Sequence, residues 1–366
     1  MTAGALTLDD LRHYAVARTL FAPTTLLLAI EKLGFVQADP IRAPARAQDL
    51  ILRHRVRNYH AGDLERRYAR LGIEEDFFVN YGFLPRATQV LMHPRARLKR
   101  LSPTQHKRTQ AVLEYIQQRR AVHPRKVDEY FAHGKVLNYW GGSSNATTHL
   151  LDDMHYRGML RIARRAKGTR IYAAHAYAPH AGGEAEGNPP LDALVDVIVR
   201  TYAPLPARSL DVLVRRLRVG TPQWRDELTA ALKRAKARLN HARVEDRDWY
   251  WPTDEAPDWY RRALDDKVRV LTPFDPIVWD RDRFEIFWGW AYRFEAYTPP
   301  AKRKLGYYAL PLLWQDRIIG WTNVRVEDER LVSDFGYVAG KAPKGGAFKR
   351  ALAEELQRLR SFLSLG

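Results

Sequence analysis

There is no cysteine among the 366 residues. That excludes disulfides, thiol catalysis and every thiolate-ligated zinc or iron–sulfur centre, and it fits a reducing, cytoplasmic setting. Long apolar runs are also missing. No stretch approaches the ~18 residues that would cross a bilayer. Met1 to Arg12 lacks the basic-then-apolar order of a secretory leader, so no membrane partner is expected. Several nucleotide and metal signatures are absent too: no phosphate loop, no G-x-G-x-x-G after a strand, no H-E-x-x-H, no EF-hand loop and no G-x-S-x-G. The 12 histidines are scattered, with no i,i+4 pair beside a third ligand. No metal and no cofactor are expected.

Acidic residues are scarce relative to basic ones: 42 Asp and Glu against 60 Lys and Arg, a formal charge of +18 with a pI near 10. Of the basic residues 46 are arginine, whose planar fork suits phosphate oxygens and guanine edges. The expected partner of such a chain is a polyanion, nucleic acid first. With 46% hydrophobic and 11% aromatic residues the chain has ample material for a core, and its length suits two or three domains.

The hydrophobic pattern predicts helices over Thr7–Arg18 and Thr24–Leu33, a short extended segment from Phe35 to Asp39 stopped by Pro40, and a further helix over Ala45–Arg53. Residues 93 to 126 hold ten basic side chains and one acidic, Glu114. Helices follow over Thr104–Arg120 and Val127–His133, then a Gly141-Gly142 turn, then a helix capped by Ser143 or Ser144 and running to Tyr156. Strands over Met159–Ala163 and Thr169–Ala173 flank a basic tip. Helix, helix, turn, helix, basic hairpin is the order of a winged helix-turn-helix, in which the last helix enters the major groove and the hairpin touches the backbone. Residues 178–190 read as a linker. Helices over Leu191–Tyr202, Ala207–Leu217 and Pro222–Leu239, then a wing over Ala242–Pro252, suggest a further unit of this kind. The last third predicts an antiparallel sheet from Val268–Thr272, Arg303–Leu313, Arg317–Val326 and Leu331–Val338, with Phe274–Trp279 irregular and a closing helix over Ala347–Leu363. The expected fold class is α+β, tandem winged helix-turn-helix units with a C-terminal antiparallel β-rich domain. The divisions are 1–92, 93–177, the linker 178–190, 191–256 and 257–366.

Among polar residues on extended segments, Gln37 and Asp39 stand out. In a strand i and i+2 share a face, so an amide and a carboxylate would project together and could hold and polarise one water. The competing reading is a polar strand edge, or an Asp opening a turn before proline.

The run Leu33 to Arg55 (LGFVQADPIRAPARAQDLILRHR) resembles the AlkZ/YcaQ family of winged-helix DNA glycosylases. Tyr139 to Ala173 is also similar. So is ARVEDRDWYWP, and so is the stretch Val268 to Trp321, with the blocks LTPFDPIVWDR and YTPPAKRKLGYYALP. The blocks cover most of the chain in the right order. The resemblance implies that Gln37-Ala38-Asp39 is the family's Gln–hydrophobic–Asp motif, with the small Ala38 in the middle place. It matches the YcaQ-type branch, whose members unhook DNA interstrand crosslinks and remove N7-alkylated guanine. The implied enzyme is a monofunctional DNA glycosylase of base excision and crosslink repair, working as a monomer on double-stranded DNA.

For such an enzyme, Asp39 is expected as catalytic base and Gln37 as the group orienting the water. Phosphate contacts are expected from Arg42 and Arg46 near the motif, and from Arg164, Arg165, Lys167 and Arg170 on the basic hairpin. Arg303 and Lys304 are expected on a hairpin, where the family places one close to the lesion. Trp249, Tyr250 and Trp251 could stack on DNA, with a core position as the alternative. A non-enzymatic winged-helix regulator explains the charge and helix order equally well, but not Gln37 and Asp39 on one strand face. An RNA-binding protein lacks any supporting aromatic motif.

Overall fold

The structure is a computed structural model describing residues 6–132, 134–137, 143–175, 177, 188–260 and 265–365. Among these residues a helix, helix, helix, antiparallel-hairpin order recurs three times, with a short strand after the first helix in two of the units and, in the other, a strand pair Lys135–Leu137 with Ser143–Asn145 before its third helix. The first unit runs Leu26–Leu33, Val36–Gln37, Ala47–Leu52, Asp63–Arg67, then the hairpin Ile73–Phe77 with Tyr81–Pro85. The second runs Pro103–Arg119, Pro124–Phe131 and Ala146–Tyr156, then Leu160–Ala166 with Thr169–Ala174. A single bridge, Val122 to Tyr172, replaces its short strand. The third runs Pro189–Tyr202, Leu205–Pro206, Ala207–Gly220 and Leu228–Arg238, then Asn240–Val244 with Arg247–Trp251. In the first and third units the short strand pairs antiparallel with the second strand of the hairpin.

Local chemistry sets these elements. The Thr25 hydroxyl accepts from the Leu28 amide at the start of Leu26–Leu33, and Leu26, Ala29, Ile30 and Leu33 at helical spacing are its buried face. Ser102 and Gln105 form a capping box ahead of Pro103. Hairpin turns carry positive φ at Lys167-Gly168, Glu245-Asp246 and Asp328-Glu329, the geometry that matches strand twist. The last third is a four-stranded antiparallel sheet of Val268–Val270, Leu310–Trp314, Arg317–Glu327 and Arg330–Tyr337 in that order, closed by the helix Gly346–Leu363.

Hydrophobic cores cross the expected divisions. Leu11, Tyr14 and Ala15 of the helix Leu8–Thr19 pack with the third unit. The C-terminal sheet, through Val268 and Leu310, and its closing helix, through Phe348 and Leu359, share a core with the first two units.

Several expectations change. Residues 303–309 are irregular rather than strand, because Glu295 captures the Lys304 and Leu305 amides that a ladder would use. Phe274–Trp279 is not irregular throughout: Asp275 caps the helix Pro276–Trp279, and Asp280 caps Arg281–Trp288. Asn145, not Ser143 or Ser144, caps the helix Ala146–Tyr156. Gly141-Gly142 and residues 178–187 of the expected linker 178–190 lie outside the described residues, whereas Pro189 and Pro190 open the helix Pro189–Tyr202 rather than the linker. No helix among the described residues is long and apolar enough to cross a membrane.

Candidate active site

Gln37 is the last residue of the strand Val36–Gln37 and sits opposite Gly82. A Cβ at Gly82 would stand 2.4 Å from the Val36 carbonyl and 2.6 Å from the Phe35 ring, so only glycine lets the neighbouring strand approach here. Gln37 is buried, and its Oε1 accepts a 2.7 Å hydrogen bond from the Trp279 indole N–H. An indole can only donate. The bond therefore fixes the amide: its oxygen faces Trp279 and its NH2 is turned away. Trp279 is itself held, with its ring 5.3 Å from Tyr202 and the Arg216 guanidinium 5.0 Å above it.

Asp39 lies beyond the ladder. Ala38 still donates to the Tyr81 carbonyl at 3.0 Å, while the Asp39 amide turns to Gln48 Oε1 at 3.4 Å. The Asp39 carboxylate accepts the Ile41 amide through Oδ1 at 2.9 Å, bracing the turn across Pro40. Among the described residues no protein donor is recorded on the second oxygen. Burial pushes the carboxyl above its ordinary value, and the Ile41 hydrogen bond offsets only part of that. Half-burial without a cationic partner makes a stronger base than a solvated aspartate. The phenol of Tyr308 is close enough to sense Asp39. Burial first, with a smaller push from Asp39, holds Tyr308 well above its usual value against the hydrogen bond from Thr272. Tyr308 Oη and Thr272 Oγ1 are 3.4 Å apart, and both residues are buried.

A buried ion pair holds the two sides of this site together. Arg55 meets Asp275 through two bonds of 2.8 and 2.9 Å, with neither side chain exposed. Arg55 also donates to the Thr19 and Ile51 carbonyls. Asp275 accepts the Ile277 amide, so the helix that carries Trp279 is anchored to the unit that carries Gln37.

Among the expected DNA-contacting cations, two classes appear. Arg42, Arg164 and Lys167 are exposed and carry no ion pair among the described residues. Arg165 is turned inward onto the buried Glu75, its Nε 2.8 Å from Oε2. Arg170 binds Asp152 at 2.7 Å and lies 5.0 Å over the Tyr81 ring. Arg46 bonds Glu65 at 3.2 Å beneath the hairpin tip, where a Cβ at Gly168 would meet its Nη2 at 2.4 Å. Burial, with Arg165 and Arg42 close by, pulls the Arg46 guanidinium below its ordinary value. The hairpin is thus clamped to the first unit by Glu65, Glu74 and Glu75, and its outer cations face solvent.

The tryptophan cluster corrects another expectation. Trp249 has no exposed surface and stacks on Phe287 at 5.1 Å, and Tyr250 and Trp251 are buried as well. His241 and Lys236 cover the Tyr250 ring. None of the three has a face left for a base; they are core. Arg303 and Lys304 sit on the irregular loop rather than a hairpin, with Arg303 donating to the Thr298 carbonyl at 2.8 Å and Lys304 exposed. No group of three or more potential metal ligands occurs among the described residues.

The family model described as DNA glycosylase AlkZ-like matches residues 30–362. The chain belongs to the AlkZ-like DNA glycosylase family. It is therefore an enzyme of the DNA glycosylase class, and the regulator reading falls away. Its fold resembles that of Streptomyces sahachiroi DNA glycosylase AlkZ, with a TM-score of 0.63 at 14% identity, over 98% of this chain and 96% of that one. Sequence reasoning missed Trp279, Tyr308, Thr272 and the Arg55–Asp275 pair. All but Arg55 lie inside the blocks LTPFDPIVWDR and YTPPAKRKLGYYALP, so the signal was present without an assigned role.

Proposed function

We propose that this glycosylase hydrolyses the N-glycosidic bond of N7-alkylated guanine and unhooks interstrand crosslinks joined through that atom. The reading places it in the cytoplasm as a monomer. It takes the three repeated units as winged helices, followed by a β-rich C-terminal domain, with Arg42, Arg164 and Lys167 as phosphate contacts. The observation that carries it is a half-buried carboxylate with no ion pair among the described residues, two positions after an amide whose orientation an indole fixes.

An N7-alkylated guanine is already cationic, so it leaves without being protonated. The bond between C1′ and the base breaks with its electrons going to the base. The sugar then carries oxocarbenium character, which the Asp39 anion stabilises electrostatically. Water lies with one lone pair on the Gln37 NH2 and the other facing C1′. As the new C–O bond forms, Asp39 accepts the water's proton and later releases it to solvent. The products are an abasic site and a neutral alkylguanine. Because Asp39 is only half-buried, a bulky crosslink can approach without rotating fully into a deep pocket, unlike an ordinary flipped base.

The test is single-turnover base release from two duplexes, one with N7-methylguanine and one with a nitrogen-mustard crosslink, read as alkali-labile strand cleavage. Release from both, lost in Asp39→Asn and weakened in Gln37→Ala, is expected. Tight, salt-sensitive binding with no release from either duplex would exclude this substrate class.

A further inference from the structure

The loop between the helix Arg281–Trp288 and the strand Leu310–Trp314 carries two tyrosines that packing does not use. Tyr297 is 81% exposed and Tyr307 45%, whereas the neighbouring Tyr308 is 2% exposed. Two exposed tyrosines on one loop leave open ring faces on which a planar group could stack. The loop is nevertheless held firmly. Glu295 Oε2 accepts the Lys304 and Leu305 amides at 2.9 and 2.8 Å, and the Thr298 amide bonds the Glu295 carbonyl at 2.9 Å. Trp321 and Asn323 both donate to the Leu305 carbonyl. The exposure of Tyr297 is therefore presented by a braced scaffold.

Its place in the fold is specific. The Tyr297 ring stands edge-on to Phe294, with centroids 6.1 Å apart at 82°. Phe294 in turn meets Tyr308 at 5.1 Å, the phenol that senses both Asp39 and Tyr297. One aromatic ring, Phe294, thus links Tyr297 to the buried Tyr308. Cations flank it: the Arg303 guanidinium lies 5.0 Å over the Tyr307 ring, and Lys302 and Lys304 are exposed. A flat π-face on a rigid loop, with positive charge beside it, is complementary to a nucleobase face with its phosphate.

We propose that Tyr297, flanked by Tyr307 and Arg303, is a stacking platform for a nucleobase left unpaired at the lesion, with Arg303 and Lys304 taking the adjoining phosphate. The platform grips the strand while Asp39 and Gln37 act at the sugar, and it is indifferent to which base it holds, because every base has a π-face. This deepens the glycosylase reading above and rests on it for the position of the lesion.

The probe is a duplex with 2-aminopurine opposite a tetrahydrofuran abasic analogue, compared with 2-aminopurine in an ordinary base pair. Wild type and Tyr297→Phe should quench the unpaired 2-aminopurine, since the ring alone stacks. Tyr297→Ala should not, and should bind the abasic duplex about 5- to 150-fold more weakly, the range expected for one stacked base. Asp39→Asn should quench as wild type does while losing base release, which separates the platform from the chemistry. Quenching that survives Tyr297→Ala overturns the platform, whatever the base-release assay gives. Quenching by wild type that vanishes in Tyr297→Ala, with no release of N7-methylguanine by wild type, keeps the platform and removes the substrate reading.

Discussion

Two short strands occupy the same topological place in units of the same element order. Val36–Gln37 lies beside Tyr81–Pro85, and Leu205–Pro206 lies beside Arg247–Trp251. What stands across from each differs. Gln37 faces Gly82, which adds no side chain, whereas Pro206 faces Trp249, a fully buried indole. In the third unit the strand is closed by aromatic packing and stays structural. In the first, glycine leaves the amide as the object on that face, and Trp279 arrives from the C-terminal part to orient it. On the proposed reading one scaffold serves as core in one unit and as the reactive edge in the other, the difference being made by a few side chains rather than by the backbone.

The sharpest break of this comparison is Asp39→Asn. It keeps the acceptor for the Ile41 amide and removes the base, so base release should fall ~10²–10⁴-fold at unchanged DNA affinity. Because burial raises the Asp39 pKa, its ionisation opposes folding: the stabilisation by the protonated form is complete below the unfolded value and is lost as pH rises through the folded one. Asp39→Asn should therefore melt no lower than wild type at neutral pH, and any gain should fade in acid. The mirror experiment is Leu205→Ala in the third unit, which empties a fully buried site. It should cost about 2–5 kcal/mol in denaturant unfolding while leaving the rate of the folded fraction intact.

Intermediate in size is Trp279→Phe. It removes one hydrogen bond, worth ~0.5–1.5 kcal/mol, and frees the Gln37 amide to turn. Base release should drop ~2- to 12-fold at constant affinity, and the loss should disappear in a Gln37→Ala background. Persistence of the full loss there would mean that Trp279 acts by packing instead. The smallest effect distinguishes the two classes of hairpin cation. Lys167→Ala, at an exposed side chain, should lower the log–log salt slope of DNA binding by ~0.9 with little change in melting. Arg165→Ala breaks a pair with the buried Glu75, so its main readout should be stability rather than slope.

Much of this architecture could be read from residues. Caps, helical spacing and β-branched runs marked most helices, the basic hairpin and the C-terminal strands, since those signals are local. The hairpin Ile73–Phe77 with Tyr81–Pro85 was not read, because buried Glu74, Glu75 and Asp76 disguise it as polar surface. Two of their partners, Arg161 and Arg165, lie about 90 residues away in sequence, and Arg95 follows on a separate segment. Separation in sequence also hid the Arg55–Asp275 pair. Charge alone could not divide the arginines into those facing outward and those spent on carboxylates, nor tell a core tryptophan from a stacking one. Gln37 and Asp39 were visible as a spacing pattern, but the bond to Trp279 spans 242 residues.

The central claim is that Asp39 works as a base whose environment, not a cation, tunes it. The most direct test is the single-turnover rate of N7-methylguanine release from pH 4 to 8, for wild type and Asp39→Asn. The wild-type rate should fall on the acid side with a midpoint above the ~3.9 of an ordinary aspartate, and the variant should show a low rate with no such limb. A variant within tenfold of wild type, or one that keeps the acid limb, would contradict the account.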